Sequence, residues 1–428
     1  MKSVLLLTLL AILMPLGAIH ASEAHVVEFE GAIGPVASAY ISEAVARAER
    51  DGAVCLVVEM DTPGGLDTAM REIIQDILAS KVPVIIYVHP AGARCASAGV
   101  FIAMSADAVG MTPGTSIGAA HPVTIGEGGV DDETMDKIVN DSASYIKSLA
   151  AKRGRSEEWA EQAVRESATA TAEEALDLGI TDVIADDVHD LLDQLDGLKV
   201  DDLGGGPLET AGVSIKRFQM GFRFRLLGIL SNPNIAYMLL ILGFYGIFFE
   251  LSNPGSIFPG VLGAIFLVLA FYSFQMLPVS YAGAFLILLA MAFFVTEIWV
   301  TSGGLLTIGG VVAMLFGSLM LIDSPLPFFK ISLAVILPAV ITTAAFFAFA
   351  VGAGLRAQRK KPVTGSEGLI GMRGNATTDI DLTGQAFIRG EIWTVRSAYR
   401  IEKGEEVEVV SMDGLKLLIK RPDSGTKS

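Results

Sequence analysis

Residues 53–65 read Ala53-Val54-Cys55-Leu56-Val57-Val58-Glu59-Met60-Asp61-Thr62-Pro63-Gly64-Gly65. The first eight are a near-continuous apolar run, the pattern of a strand buried on both faces. The run stops at Pro63-Gly64-Gly65, where paired glycines let the backbone turn sharply and present bare N–H groups. On either side the period changes. Residues 34–50 carry Val36, Tyr40, Ile41, Ala44 and Val45 at helical spacing, and residues 67–80 place Met70, Ile73, Ile74 and Ile77 on one helical face. Strands are expected at 25–29 and 83–89, a short apolar helix at 97–106 and a long amphipathic helix at 131–153. This β-α-β alternation argues an α/β domain over residues 25–195, with a mostly parallel sheet covered by helices.

The composition divides the rest of the chain. The 428 residues exceed one ordinary domain, and with 52% hydrophobic and 18% charged residues the whole is too apolar for a soluble protein. The apolar excess sits near the N-terminus and between 226 and 352. Residues 1–24 have the physics of a signal peptide: Lys2, an apolar run over 4–13, then Pro15, Gly17 and Ala18, with Ala21 or Ala24 small enough for cleavage. An uncleaved anchor is the alternative; either way the next domain is exported. The net charge of −16 argues against a nucleic-acid partner. Cys55 and Cys95 fall in the exported domain, where a disulfide is permitted, but both lie on expected buried strands and read as small buried hydrophobes.

Residues 196–225 read as a linker around Gly204-Gly205-Gly206-Pro207. A multi-pass α-helical membrane domain of about five spans follows, at 235–251, 256–276, 280–300, 304–322 and 330–352. Glu250 and Glu297 lie at expected span ends, an interfacial position. Arg356, Arg359, Lys360 and Lys361 follow the last span and place it toward the cytoplasm, which agrees with an exported N-domain and five crossings. Lys216, Arg217, Arg223 and Arg225 point the other way, but export of the preceding domain overrides them. Residues 363–422 are β-rich, with a hairpin signal at Met412-Asp413-Gly414, and suggest an all-β barrel of OB type. With 8 Lys/Arg and 9 Asp/Glu it has no basic groove, so protein interaction is the expected role.

A second motif, Cys95-Ala96-Ser97-Ala98-Gly99, follows the strand at 83–89 and opens an apolar helix. Small neighbours let a substrate backbone approach the serine, and a helix N-terminus favours negative charge. Taken alone, Ser97 reads better as an ordinary helix N-cap.

The order and context of the motifs change that weighting. Asp61–Gly65, Ala96-Ser97-Ala98-Gly99, Pro113-Gly114-Thr115-Ser116-Ile117-Gly118-Ala119, Lys137, Tyr145-Ile146-Lys147-Ser148-Leu149-Ala150 and Ala172-Glu173-Glu174-Ala175-Leu176 occur in the exported domain. Ser231-Asn232-Pro233-Asn234-Ile235-Ala236-Tyr237, Phe249-Glu250-Leu251-Ser252-Asn253-Pro254-Gly255 and Leu305, Thr307, Ile308, Gly309 and Gly310 continue the pattern. Over nearly the whole mature chain it resembles the NfeD family of membrane serine proteases, whose exported domain is ClpP/crotonase-like.

The resemblance implies a serine nucleophile, Ser97, activated by a lysine, Lys137, 40 residues further on. A serine hydroxyl needs a base. A lysine serves only when burial brings its pKa down from about 10.4. Lys137 lies on the helix at 131–153 with Asn140, Asp141 and Ser144 at helical spacing. Asn140 or Ser144 would orient the amine, and Asp141 should point away. By composition alone Lys137 reads as a solvent-facing helix lysine. The implied oxyanion donors are the N–H groups of Gly65 and Ala98, each worth about 3–4 kcal/mol of transition-state stabilisation. His121, 24 residues after Ser97, is an alternative base. Its orienting acid would fall near Ser167, which is not a carboxylate, with Glu166 adjacent.

The implied activity is a Ser-Lys serine endopeptidase at the cell (inner) membrane that cleaves hydrophobic segments of stomatin- or flotillin-like proteins. Self-association as a dimer or higher oligomer, an exported protease domain and a cytoplasmic barrel go with it. No cofactor is expected and no metal constellation is present in the spacing of the histidines. The alternative is a non-catalytic membrane scaffold for stomatin-like partners. A crotonase-type acyl-CoA enzyme is disfavoured by export away from coenzyme A.

Overall fold

The run at 53–60 becomes the buried strand β2 (Cys55–Asp61), the third from one edge of a sheet of six. The computed structural model describes residues 23–123, 131–200, 206–252, 255–300, 302–322, 324, 326–358 and 368–422. β1 (Glu23–Glu30) and β3 (Val84–Val88) flank β2, with β5 (Ala108–Met111) and β8 (Val183–Ile184) beyond β3 and β9 (Ser214–Phe218) beyond β1. Every pairing in this sheet is parallel. Helices α1 (Pro35–Asp51) and α2 (Asp67–Ala79) cover one face through the apolar stripes read from the sequence, burying Tyr40, Ile41, Val45, Met70, Ile73, Ile74 and Ile77. A second, three-stranded sheet, β4 (Arg94–Ala96), β6 (Ser116–Gly118) and β7 (Thr169–Thr171), frames α3 (Ala98–Ser105). Further helices are α4 (Asp132–Lys152), α5 (Glu157–Arg165), α6 (Ala172–Asp177) and α7 (Val188–Leu195).

Two expected boundaries are corrected. β1 begins at Glu23, and Ala24 is fully buried opposite Cys55, so the domain starts before residue 25 and a cut after Ala24 would shorten a sheet strand. The leader itself, 1–22, lies outside the described residues. The expected linker 196–225 contributes β9, paired with β1 in the register Val26↔Arg217, and is followed by α8 (Phe222–Leu230). A five-residue edge strand reading Ser-Ile-Lys-Arg-Phe buries too little to show an apolar run, and the glycine-rich stretch ahead of it dominates the local pattern. Residues 201–205 of that stretch are outside the described residues.

Among the described residues, five apolar helices occupy the membrane region: α9 (Pro233–Ser252), α10 (Ile257–Phe274), α11 (Tyr281–Trp299), α12 (Leu305–Met320) and α13 (Leu333–Gln358). α9 and α10 are each long and apolar enough to cross a bilayer; the apolar parts of the other three are shorter. Glycines set the crossings. A side chain on Gly246 of α9 would meet the backbone of Gly263 of α10 at 2.6 Å, and one on Gly317 of α12 would meet Ile287 of α11 at 2.9 Å. Tyr237 and Ser318 share a buried hydrogen bond of 2.8 Å. Glu297, expected at the interface, ends α11 but is buried. It accepts hydrogen bonds from Ser302 Oγ and from the N–H groups of Gly304 and Thr307, which caps the start of α12. Arg359, Lys360 and Lys361 lie outside the described residues.

The chain forms two compact units, Met1–Thr296 with Ile308–Thr342, and Glu297–Thr307 with Thr343–Ser428. The second contains a closed five-stranded barrel: β10 (Arg373–Ala376), β11 (Thr383–Ile388), β12 (Glu391–Arg396), β13 (Glu406–Asp413) and β14 (Lys416–Lys420). The order around the barrel is β10-β11-β12-β14-β13, with β12–β14 the parallel pair. Ile380, Ile388, Val395, Ile401, Val407 and Leu417 fill it, and the turn at Gly414, φ +62°, joins β13 to β14 as the hairpin signal required.

Candidate active site

Strand ends build the site. β2 finishes at Asp61, and Thr62 continues as an isolated bridge to Cys95: Thr62 N–H donates to the Arg94 carbonyl (2.7 Å) and Ala96 N–H to the Thr62 carbonyl (3.0 Å). The Asp61 carboxylate accepts from Arg94 N–H (3.0 Å) and Thr62 Oγ1 from Gly64 N–H (3.1 Å). The glycine turn is thereby tied to the strand that delivers Ser97. Gly64 adopts φ +102°, and a methyl group there would collide with the Ser97 Cβ and lie 2.9 Å from its Oγ. Gly65 is pressed against the Ile33 backbone. That bridge uses the Gly64 carbonyl and the Leu66 N–H, which leaves the Gly65 N–H outside it.

Ser97 has φ +54° and ψ −117°, a costly conformation for a residue with a Cβ. It sits at the N-cap position of α3, yet its hydroxyl makes no capping hydrogen bond. The ordinary N-cap reading therefore fails: a capping serine takes extended backbone and spends its oxygen on the helix. Here the strained turn presents the oxygen at a helix N-terminus, with the Ala98 N–H in the unpaired first turn. Ser97 N–H donates to the Gly118 carbonyl (3.1 Å), which fixes the turn to β6.

Lys137 is elsewhere. Its side chain is 70% exposed and its ammonium donates to Glu133 Oε1 at 2.7 Å, one turn earlier on α4. It makes no hydrogen bond to Ser97. Among the described residues, burial on α4 starts at Ala143, and none of them dries the helix around Lys137. Asp141 is turned from the lysine and pairs with Arg71 Nη2 (3.0 Å), whose guanidinium also lies 4.5 Å over the Tyr145 ring. His121 Nδ1–H donates to the Val164 carbonyl (2.8 Å), an assignment that follows because a carbonyl only accepts. Both cysteines are free and buried, and burial pushes each thiol up to about 12. Gly64 and Gly118 stand in motifs quoted from the sequence, but their direct contact with Ser97 was not read there. Thr62, two residues before Gly64 with a hydroxyl able to close a local turn, was the available signal.

A parallel sheet whose glycine turn is pressed against a strained serine defines a ClpP-like serine hydrolase. Residues 23–201 match the NfeD1b N-terminal domain, residues 234–353 the NfeD integral membrane domain, and residues 366–421 the NfeD-like C-terminal, partner-binding domain. The membrane-bound protease PH1510 of Pyrococcus horikoshii is 35% identical over 447 residues, covering 100% of both chains. Membrane protein NfeD1b of Bacillus subtilis is 28% identical over 302 residues, covering 65% of this chain and 63% of its own. A solved lysine-to-alanine mutant of the 1510-N membrane-bound stomatin-specific protease, in complex with a substrate peptide, is 35% identical. It covers 50% of this chain and 99% of that one, with a TM-score of 0.47. The chain belongs to the NfeD family and is a membrane-bound serine protease.

Proposed function

We propose that Ser97 is the nucleophile and Lys137 the general base of an endopeptidase. Its substrates would be apolar segments of stomatin- or flotillin-like membrane proteins. The observation that carries this reading is the strained, uncapped Ser97 against Gly64. Ser97 Oγ attacks the scissile carbonyl carbon as its proton passes to the Lys137 amine. The oxyanion is held by the N–H groups of Gly65 and Ala98. The C–N bond breaks with that proton going to the leaving amine, and water then hydrolyses the acyl-enzyme by the reverse relay. Lys137 must first leave Glu133 and lose water. A substrate strand, or a second copy of the chain lying over the exposed start of α4, would supply that cover. Self-association as a dimer or higher oligomer would be one way to meet this need.

Membrane-adjacent cleavage is supported by a cleft of about 380 Å³. One wall is the 29–37 segment, whose Ile33 pairs with Gly65, and the other is Ser231–Pro233, Met276, Phe328 and Phe329 at the ends of the membrane helices. The specificity for a stomatin homolog named for the Pyrococcus horikoshii enzyme supports the substrate class. In our reading the protease domain is exported and the barrel is cytoplasmic. In favour of this, Lys216 and Arg217, two of the cations that argued the opposite orientation, are committed to Glu23 (3.1 Å) and Glu59 (3.0 Å).

Peptide cleavage by the full chain tests the assignment. Ser97→Ala and Lys137→Ala should each lower kcat by about 10⁴-fold or more. Full activity in either variant would remove that residue from the mechanism. His121 remains the second reading because the Val164 carbonyl orients its ring through Nδ1, which leaves Nε2 as the nitrogen that could take a proton. It would be favoured if His121→Ala, rather than Lys137→Ala, abolished turnover. Loss in none of the three would assign the cleavage to other residues.

A further inference from the structure

α8, Phe222–Leu230, stands between β9 and the first membrane helix. Its inner side is anchored to the protease domain: Phe224 is buried, its ring 5.5 Å from that of Tyr40, and Leu230 is buried as well. The opposite side exposes three large apolar side chains, Phe222 (80%), Leu226 (44%) and Ile229 (54%). Their spacing of four and then three residues stacks them in one stripe along the helix. Arg223 and Arg225, both exposed, follow one and three residues after Phe222 on the two flanks of the stripe; the Arg225 Nη2 donates to the Met220 carbonyl (3.2 Å) and the Arg223 guanidinium lies 5.6 Å from the Phe224 ring centroid, each with further N–H donors left for a headgroup. This is the arrangement of a helix lying in a membrane–water interface, where acyl chains take the apolar stripe and long cationic side chains reach the phosphates.

The rest of the unit locates that interface. α8 ends at Leu230 and α9 starts at Pro233. Ser231 Oγ meets Met276 Sδ (3.2 Å) just past the end of α10, and Asn234 Oδ1 accepts from Ser332 N–H (2.8 Å) just before α13. Ser280 N–H, before α11, reaches the Leu321 carbonyl after α12 (2.9 Å). One end of each of the five helices thus gathers beside the end of α8, at the level where a bilayer spanned by α9 and α10 must stop.

We propose that α8 is an interfacial helix, seated in the headgroup layer of the bilayer with Phe222, Leu226 and Ile229 toward the acyl chains and Arg223 and Arg225 at the lipid phosphates. The occupant of the exposed stripe is lipid, by continuity with the membrane helix two residues away. The consequence is mechanical: β9 and α8 hold the protease domain down on the surface through a second attachment besides the chain crossing itself. This inference does not depend on which residue is the catalytic base.

The test is site-directed spin labelling of the full chain in vesicles of phosphatidylcholine and phosphatidylglycerol. Cys55 and Cys95 are buried, so labels at Phe222→Cys, Leu226→Cys and Ile229→Cys report alone. Lys81→Cys serves as the water-exposed reference and Val268→Cys, on α10, as the lipid-exposed one. The expected result is oxygen accessibility above that of a water-soluble nickel complex at all three α8 positions, as at residue 268. Nickel accessibility matching residue 81 would overturn the proposal. Low accessibility to both reagents, meaning cover by protein, would overturn it equally. Should a label at Phe222 disturb folding, an environment-sensitive fluorophore at residue 229 decides. Emission quenched by lipid-borne nitroxides is expected, and unquenched emission at the wavelength of water overturns it.

Discussion

Ser97 pays for its position in backbone strain, and its neighbours over-determine that strain. Gly64 at φ +102° leaves room for the hydroxyl that any side chain would fill. Gly64→Ala should therefore lower kcat by about 100-fold or more while destabilising the protein by about 1–3 kcal/mol. Parallel turnover and thermal unfolding measurements check this; unchanged kcat would mean that Gly64 does not shape the site. Cys95, two residues before Ser97, behaves differently. With its thiol pushed up to about 12 by burial, about 10⁻⁴ of it is thiolate at pH 8, and the same holds for Cys55. Titration with a thiol reagent should give no fast reaction in the native chain and two equivalents after denaturation.

At the scale of the element, α4 is fixed at its C-terminal end and free at its start. Arg153, just past the helix, pairs with Asp107 at 2.8 Å with both side chains almost fully buried, and its Nε donates to the Ser105 carbonyl (2.8 Å). Asp107 also accepts from Val84 N–H (2.8 Å). Asp107→Ala removes the buried carboxylate that pairs with the Arg153 guanidinium and should cost about 3–5 kcal/mol, read from denaturant unfolding. The cap of α7 gives a pH test. Asp187 accepts from the N–H groups of Asp190 and His189, which holds its carboxyl below the ordinary 3.8. Because the folded value is depressed, the cap contributes stability above that ordinary value and loses it as the pH falls through the folded one. Asp187→Asn keeps a capping oxygen that does not titrate. Stability measured across this acid range should fall less steeply in the variant, and parallel curves would contradict the cap.

For the whole molecule, one chain joins a protease domain, a membrane domain and a barrel whose core is its own. The residues that tie the glycine turn to Ser97, among them Thr62, Gly64, Arg94 and Gly118, all belong to the first unit. Removing residues 366–421 should leave cleavage of short peptides within about 2-fold and abolish capture of a stomatin-like partner, measured by co-purification from membranes. Loss of peptide cleavage would show that the barrel supports the catalytic unit.

The α/β class, the five apolar helices, the barrel and the motif around Ser97 were all legible in the residue order, because each rests on local periodicity or on glycines at strand ends. β4, β6, β7 and β9 were not, since strands of three to five residues carry too few side chains to display a period. Whether Ser97 caps its helix or offers its oxygen was a matter of backbone angles that no spacing encodes. The surroundings of Lys137 were equally out of reach, because a lysine becomes a base only through what packs over it, and burial belongs to the assembled fold rather than to the helix that carries the residue.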